Sequence, residues 1–241
     1  KYGLFPLTFE ESNEVMGLIQ RWFPDWTTAP VFYIDFPHLS KSAVYTEKAL
    51  IEGAKKWLDI VAVHKIPVVL IDTADKDKGR KLLKRNSTDR VGILNLGQIA
   101  EIDRYALKKG IRCLWAGGIT LSQTFELGKL KVFGIYVTTS AAAIQPVSAK
   151  YKRDPMLTAE REPTYKGVYG VKLILEAGFL TNRLHVFGLK NEAAFMGKKA
   201  IEYIKFAEKS SGPEEQEKRE QELAILAENA WKTHFKRSKK K

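Results

Sequence analysis

Short apolar runs rich in β-branched residues recur along the first 140 positions, and amphipathic stretches separate them. The runs are VFYIDF (31–36), PVVLIDTA (67–74), VGILNL (91–96), IRCLWAGGI (111–119) and KVFGIYVTT (131–139). Their apolar positions are continuous rather than alternating, which is the pattern of strands covered on both faces in a parallel sheet. Between them, residues 48–63, 97–109 and 121–130 carry a helical period and are long enough for crossover connections. Two of these segments end at or near a glycine, in LKKG (107–110) and LGKL (127–130), as helices closing into loops do.

Alternating strands and helices build either an open doubly wound sheet or a closed (β/α) barrel. The open nucleotide-binding form calls for GxGxxG after its first strand, and the chain has none. The barrel form places polar and catalytic residues at strand C-termini. Here those positions hold Asp35, Asp72, Asn95, Ala116-Gly117-Gly118 and Thr138-Thr139-Ser140. The expected fold class is therefore α/β, a TIM-type barrel portion over 1–180. A strand–helix extension is expected over 181–212, opened by TNRLHVF. After the break at SSGP, residues 213–241 read as a charged helix with an apolar stripe (Leu223, Leu226, Ala230) and a basic tail.

Composition adds limits. The formal charge is +12 and the pI about 9.6, which suits anionic substrates as well as nucleic acid or membrane surfaces. Part of that charge lies in KRSKKK (236–241), and neither zinc-finger spacing nor an aromatic RNA-binding signature is present, so nucleic acid is not the expected partner. No apolar run approaches membrane-spanning length. The opening residues lack the apolar core of a signal peptide, and the lone Cys113 forms no internal disulfide. A cytoplasmic setting is the expectation.

The most informative stretch is IDTADKDKGRKLL (71–83). Asp72 leaves a buried strand at the expected active face, and Lys76 follows four residues later. A lysine beside a carboxylate in a partly dry pocket serves as proton donor, general acid–base or Schiff-base amine. The competing reading is a charged loop in which Asp75 or Asp77 caps a following helix. A calcium loop fails on spacing, because Gly79 is misplaced and no glutamate closes a twelve-residue pattern. WAGGI (115–119) and VTTSAA (137–142) form a second constellation. Gly117 and Gly118 let backbone approach an anion, and Thr138, Thr139 and Ser140 add donors, so a phosphate site is expected there. The same residues also fit plain turns and a helix cap. Of the histidines, His38 could face the pocket, His64 is expected at a helix end, His185 in the core and His234 in the tail. No metal or cofactor site is expected from the His, Cys and acidic spacings.

With those residues in place, the chain resembles the second half of (5-formylfuran-3-yl)methyl phosphate synthase. The resemblance rests on IDTADK (71–76), GQIAEIDRYALKKG (97–110), IRCLWAGGIT (111–120) and KVFGIYVTTSAA (131–142). It implies a barrel lyase that joins two glyceraldehyde 3-phosphate molecules, with loss of phosphate and water, to make the furan precursor of a methanofuran-type one-carbon carrier. It implies lysine chemistry without a metal or cofactor, with Asp72 and Lys76 at the catalytic positions. The opening KYGLFPLTFEESNEVMGLIQRWFPDW is similar to the family segment that follows a further active-site lysine, which sets Lys1 there. By this resemblance the chain opens in mid-barrel. The first βα units and one more lysine would lie upstream or come from a second chain, so a homo-oligomer or a complementing chain is expected. One departure is clear: Gly134-Ile135-Tyr136-Val137 stands where the family has a glycine–valine–arginine–glycine phosphate loop. A Schiff-base aldolase on another sugar phosphate, and a non-catalytic barrel subunit with a basic binding surface, are the alternatives.

Overall fold

A computed structural model describes residues 1–35, 47–74, 79–136, 165–208 and 213–239. The chain is mixed α/β and divides into two compact units, one of residues 1–118 with 132–136, the other of 119–131 with 137–241.

In the first unit, β1 (Tyr2–Gly3), β2 (Pro30–Tyr33), β3 (Val68–Asp72), β6 (Arg112–Trp115) and β7 (Gly134–Ile135) form a five-stranded sheet in that order, every pair parallel. The strand order never reverses along the sequence, which distinguishes it from a doubly wound sheet with its switch point. Two further strands, β4 (Lys81–Leu83) and β5 (Gly92–Leu94), pair in parallel with each other. After β3 the next described element is β4 rather than a helix, and Asp75 and Asp77, the capping candidates of the competing reading, lie outside the described residues.

Helices α2 (Glu47–Val63) and α3 (Leu96–Lys108) pack on one face of this sheet, and α1 (Phe9–Trp22) packs against α2. α1 and α3 start at full capping boxes, Thr8 with Glu11 and Asn95 with Gln98. The covered face is set by register. Phe32 of β2 packs on Trp57 of α2 with ring centroids 5.1 Å apart, and Trp115 of β6 donates its indole N–H to Asp103 of α3 at 3.4 Å. Val69, Ile71 and Cys113 share that face and are fully buried. Side chains alternate along a strand, so the opposite face carries Lys1, Gly3, Val31, Tyr33, Leu70, Asp72, Leu114, Ala116, Gly134 and Tyr136. Val31, Leu70 and Ala116 form a small buried cluster there, flanked by Tyr33 and Leu114.

This second face is the inside of a curl. Strands 4.7–4.9 Å apart would put β1 and β7 about 19 Å from one another in a flat sheet. Yet Lys1, at the start of β1, holds its Nζ 4.1 Å from the ring centroid of Tyr136, just past β7. The two edges of the sheet thus turn toward each other around the inner face.

The second unit is helical: α4 (Leu121–Leu130), α5 (Tyr165–Val186), α6 (Lys190–Glu208) and α7 (Pro213–Ser238). Their common core joins Phe125 of α4 with Leu173, Ile174, Ala177 and Leu180 of α5, Met196 and Tyr203 of α6, and Leu223, Ala227 and Ala230 of α7. The short strand expected around LHVF is the last turn of α5, because Leu184 is claimed by this helical core. α7 is a packing helix on the stripe read from its sequence, with Leu223 and Ala230 buried and Leu226 partly so. Gly128 lies two residues before the end of α4, close to the helix end as LGKL suggests, and the cap itself is Lys131 in the left-handed region. A Cβ on Gly128 would stand 2.2 Å from the Leu175 carbonyl oxygen, and one on Gly178 would stand 2.1 Å from that of Phe125. Both glycines serve the close crossing of α4 and α5.

Candidate functional site

The C-terminal ends of β2, β3 and β6 lie side by side, and the polar groups of the first unit gather there. Register pairs Tyr33 with Asp72, and the Ile34 N–H donates to the Asp72 carbonyl at 2.9 Å. Asp72 is 9% exposed. Its Oδ1 accepts from the Thr73 N–H at 2.7 Å. Asp35, 7% exposed, accepts from the Ala74 N–H through Oδ1, also at 2.7 Å. Two buried carboxylates therefore hold successive amides where the chain leaves β3. Carboxylates held by backbone donors at charge-assisted distances are rigid features.

Asp35 is the residue that the site reading passed over, although it was noted at a strand end. The signal was an echo in the sequence: YIDF and LIDT both end a buried run in isoleucine and aspartate. Tyr33 and Tyr136 were missed for another reason. Which residues share a face follows from register, and a single strand's sequence does not contain its register.

Lys1 lies on the inner face with Asp72, exposed, with Nζ held over the Tyr136 ring. A cation at this distance from an aromatic face is attracted by the ring's quadrupole. Lys76, Thr138, Thr139 and Ser140 lie outside the described residues, as does His38.

Gly117 and Gly118 follow β6 with φ of +111° and +64°. A Cβ on Gly117 would come within 2.9 Å of the Thr73 side chain and 3.2 Å of Leu82 Cβ. The Gly117 carbonyl accepts from the Leu82 N–H at 2.8 Å. The glycine is thus explained by backbone direction and by the approach of β3 and β4, which was its bland reading as a turn residue. The position corresponding to Cβ on Gly118 faces Lys81 Cγ at 3.3 Å, which brings one more cation to this loop. Thr73 is 1% exposed, and its Oγ1 has no hydrogen-bond partner.

Other groups divide between structure and surface. Cys113 sits on the helix-covered face, where burial, with the charge of Asp103 adding, pushes its thiol far above the ordinary range. That makes it a packing residue rather than a nucleophile. His64 follows α2 as expected and pairs Nε2 with Asn13 Oδ1 at 2.8 Å. His185, expected in the core, is exposed on the last turn of α5. His234 is not in a loose tail but on α7, against the rings of Phe179, Phe187, Trp231 and Phe235. Among the described residues, no three His, Cys, Asp or Glu side chains stand close enough to hold a metal ion, and no helix is long and apolar enough to cross a membrane.

No protein-family model, curated protein or solved structure matches this chain.

Proposed function

We propose that the curled sheet of the first unit is part of a (β/α) barrel, and that its inner face houses a lysine-dependent lyase acting on small phosphorylated aldehydes. The observation that carries this reading is the placement of Lys1, Tyr33, Asp72 and Tyr136 on one face of the sheet, the face opposite the one that packs on α2 and α3. An amine, a buried carboxylate and phenol groups facing one concavity are the parts that carbonyl addition and proton transfer require. The resemblance to (5-formylfuran-3-yl)methyl phosphate synthase supplies the substrate: two glyceraldehyde 3-phosphate molecules condense to the furan aldehyde phosphate, releasing one phosphate and two waters.

In this proposal a lysine Nζ, from Lys1 or Lys76, adds to the aldehyde carbon, and the carbinolamine loses water to give an imine. Asp72 takes up and returns the protons of that exchange, and Asp35 fixes the backbone at Ala74, just past Asp72. Backbone N–H groups around Gly117 and Gly118, with the hydroxyls of Thr138, Thr139 and Ser140, would hold phosphate, with Lys81 nearby.

Incubation with glyceraldehyde 3-phosphate is expected to release inorganic phosphate and build furan absorbance. Asp72→Asn and Lys76→Ala should each slow this about 100-fold or more, the range for removing a proton-transfer group. Borohydride reduction during turnover should leave the added mass on a peptide containing Lys1 or Lys76. Undiminished phosphate release in both variants would refute the assignment. A trapped lysine adduct without phosphate release would assign the alternative Schiff-base aldolase chemistry.

A further inference from the structure

The helical unit contains a groove of about 920 Å³ lined by α4, α5 and α6, at the upper end of small-molecule site volumes. Its apolar lining is Phe125, Ala193, Ala194, Gly197 and Ile201. Its cations are Lys129, Lys190, Lys198 and Lys205, with His185 beside them. The charge is not neutralised locally. Glu202 is the lone acid of the lining, and it is engaged by Lys199 at 3.3 Å and Arg219 at 3.6 Å, neither of which lines the groove. Lys129 pairs with Glu126. Lys190, Lys198 and Lys205 carry no ion pair among the described residues. Two polar atoms of the lining residues, Thr181 Oγ1 and Asn182 Oδ1, are buried without a hydrogen-bond partner.

Shape narrows the ligand. The lining residues of α6 run from Lys190 to Lys205, about 22 Å at 1.5 Å per residue. The groove is narrow at its base, since a Cβ on Gly197 would lie 3.8 Å from Phe125 Cζ and 3.9 Å from Thr181 Cγ2. A helix about 10 Å across does not enter such a cleft, whereas a single hydrocarbon chain does. We infer that this groove binds a soluble amphiphilic anion, a chain-like apolar body ending in a carboxylate or phosphate. The chain lies against Phe125, Ala194 and Ile201, and the lysines snorkel to its head. The inference rests on the helical unit alone and does not draw on the strand-end chemistry.

Isothermal titration of the whole chain with dodecyl phosphate, kept below its micelle-forming concentration, tests it. One molecule should bind per chain, and dodecyltrimethylammonium, with the same tail and the opposite charge, should not. Gly197→Phe and, independently, Ala194→Trp should abolish binding, with melting curves by circular dichroism confirming that each variant folds. Lys198→Glu with Lys205→Glu should weaken it about tenfold or more and remove most of its salt dependence. Absence of binding overturns the inference, as does equal uptake of the cationic amphiphile. Wild-type affinity in both obstructed variants does the same. If phosphatidylglycerol vesicles bind the wild type but not Gly197→Phe, and the monomer does not bind at all, the groove belongs to a membrane surface and the inference fails.

Discussion

At the scale of single residues, the fold rests on a few positions whose chemistry admits little change. Gly117 combines a φ of +111° with a Thr73 side chain where its own would go. Gly117→Ala is expected to cost roughly 2–3 kcal/mol in urea unfolding, from backbone strain and a forced shift of Thr73. Asp103 gives a pH-dependent counterpart. Burial raises its pKa above the ordinary value, and the hydrogen bond from Trp115 opposes that only in part. The folded state therefore holds this proton more tightly than the unfolded chain, so stability is lost as the pH rises through and above the usual aspartate range. Asp103→Asn keeps an acceptor for Trp115 and should melt higher than the wild type at pH 7, the two curves meeting near pH 3, below the ordinary aspartate pKa of about 3.9. Residue identities were legible from the start, but their surroundings were not. Asp72 was singled out by its place after a buried run, whereas Asp35, equivalent by the same logic, acquires its role only once the Ala74 amide is seen on it.

At the scale of elements, α2 and α3 are legible from their amphipathic period, whereas the chemistry of the helix ends, the boxes that open α1 and α3, emerges only in the structure. The box formed by Asn95 and Gln98 closes α3 at both polar groups, with distances of 2.8 and 2.9 Å. Asn95→Ala should cost about 1 kcal/mol, measurable by the same unfolding experiment. Continuous apolar runs marked five strands for a related reason, since a run too apolar for either face to meet water has few other uses. Other elements were not legible, β4 and α5 among them. β4 is three residues inside a charged stretch, and it is a strand because β5 pairs with it. Leu184-His185-Val186 has the composition of a strand, yet it ends α5, where tertiary packing overrides a weak local preference. The α4–α5 crossing is where an element-level test is sharpest. Gly178→Ala would drive a methyl into the Phe125 carbonyl, and it should destabilise the helical unit by about 2 kcal/mol or more.

At the scale of the whole molecule, each unit encloses its own core, one between sheet and helices and one among four helices. Calorimetry should accordingly resolve more than one transition, with Gly178→Ala lowering one and Gly117→Ala lowering the other. A single shared shift in both variants would show that the cores unfold together. The sequence reading gathered 1–180 into one barrel portion. α4 was counted with the sheet because it falls between two strands, and that inference from order alone could not detect the glycine contact that ties α4 to α5.

That ordering has a consequence for how the chain is made. α4 is threaded between β6 and β7, but its partner α5 begins at Tyr165, some thirty residues after β7 is complete. On a ribosome adding about 5–20 residues per second, the strands on either side of α4 emerge first. For seconds the Gly128 face of α4 is out of the exit tunnel with nothing to meet it. The sheet can assemble in the order of its synthesis, whereas the helical unit must wait for the last third of the chain. A pause in translation between residues 136 and 165 would prolong the interval in which α4 is open to the wrong neighbour.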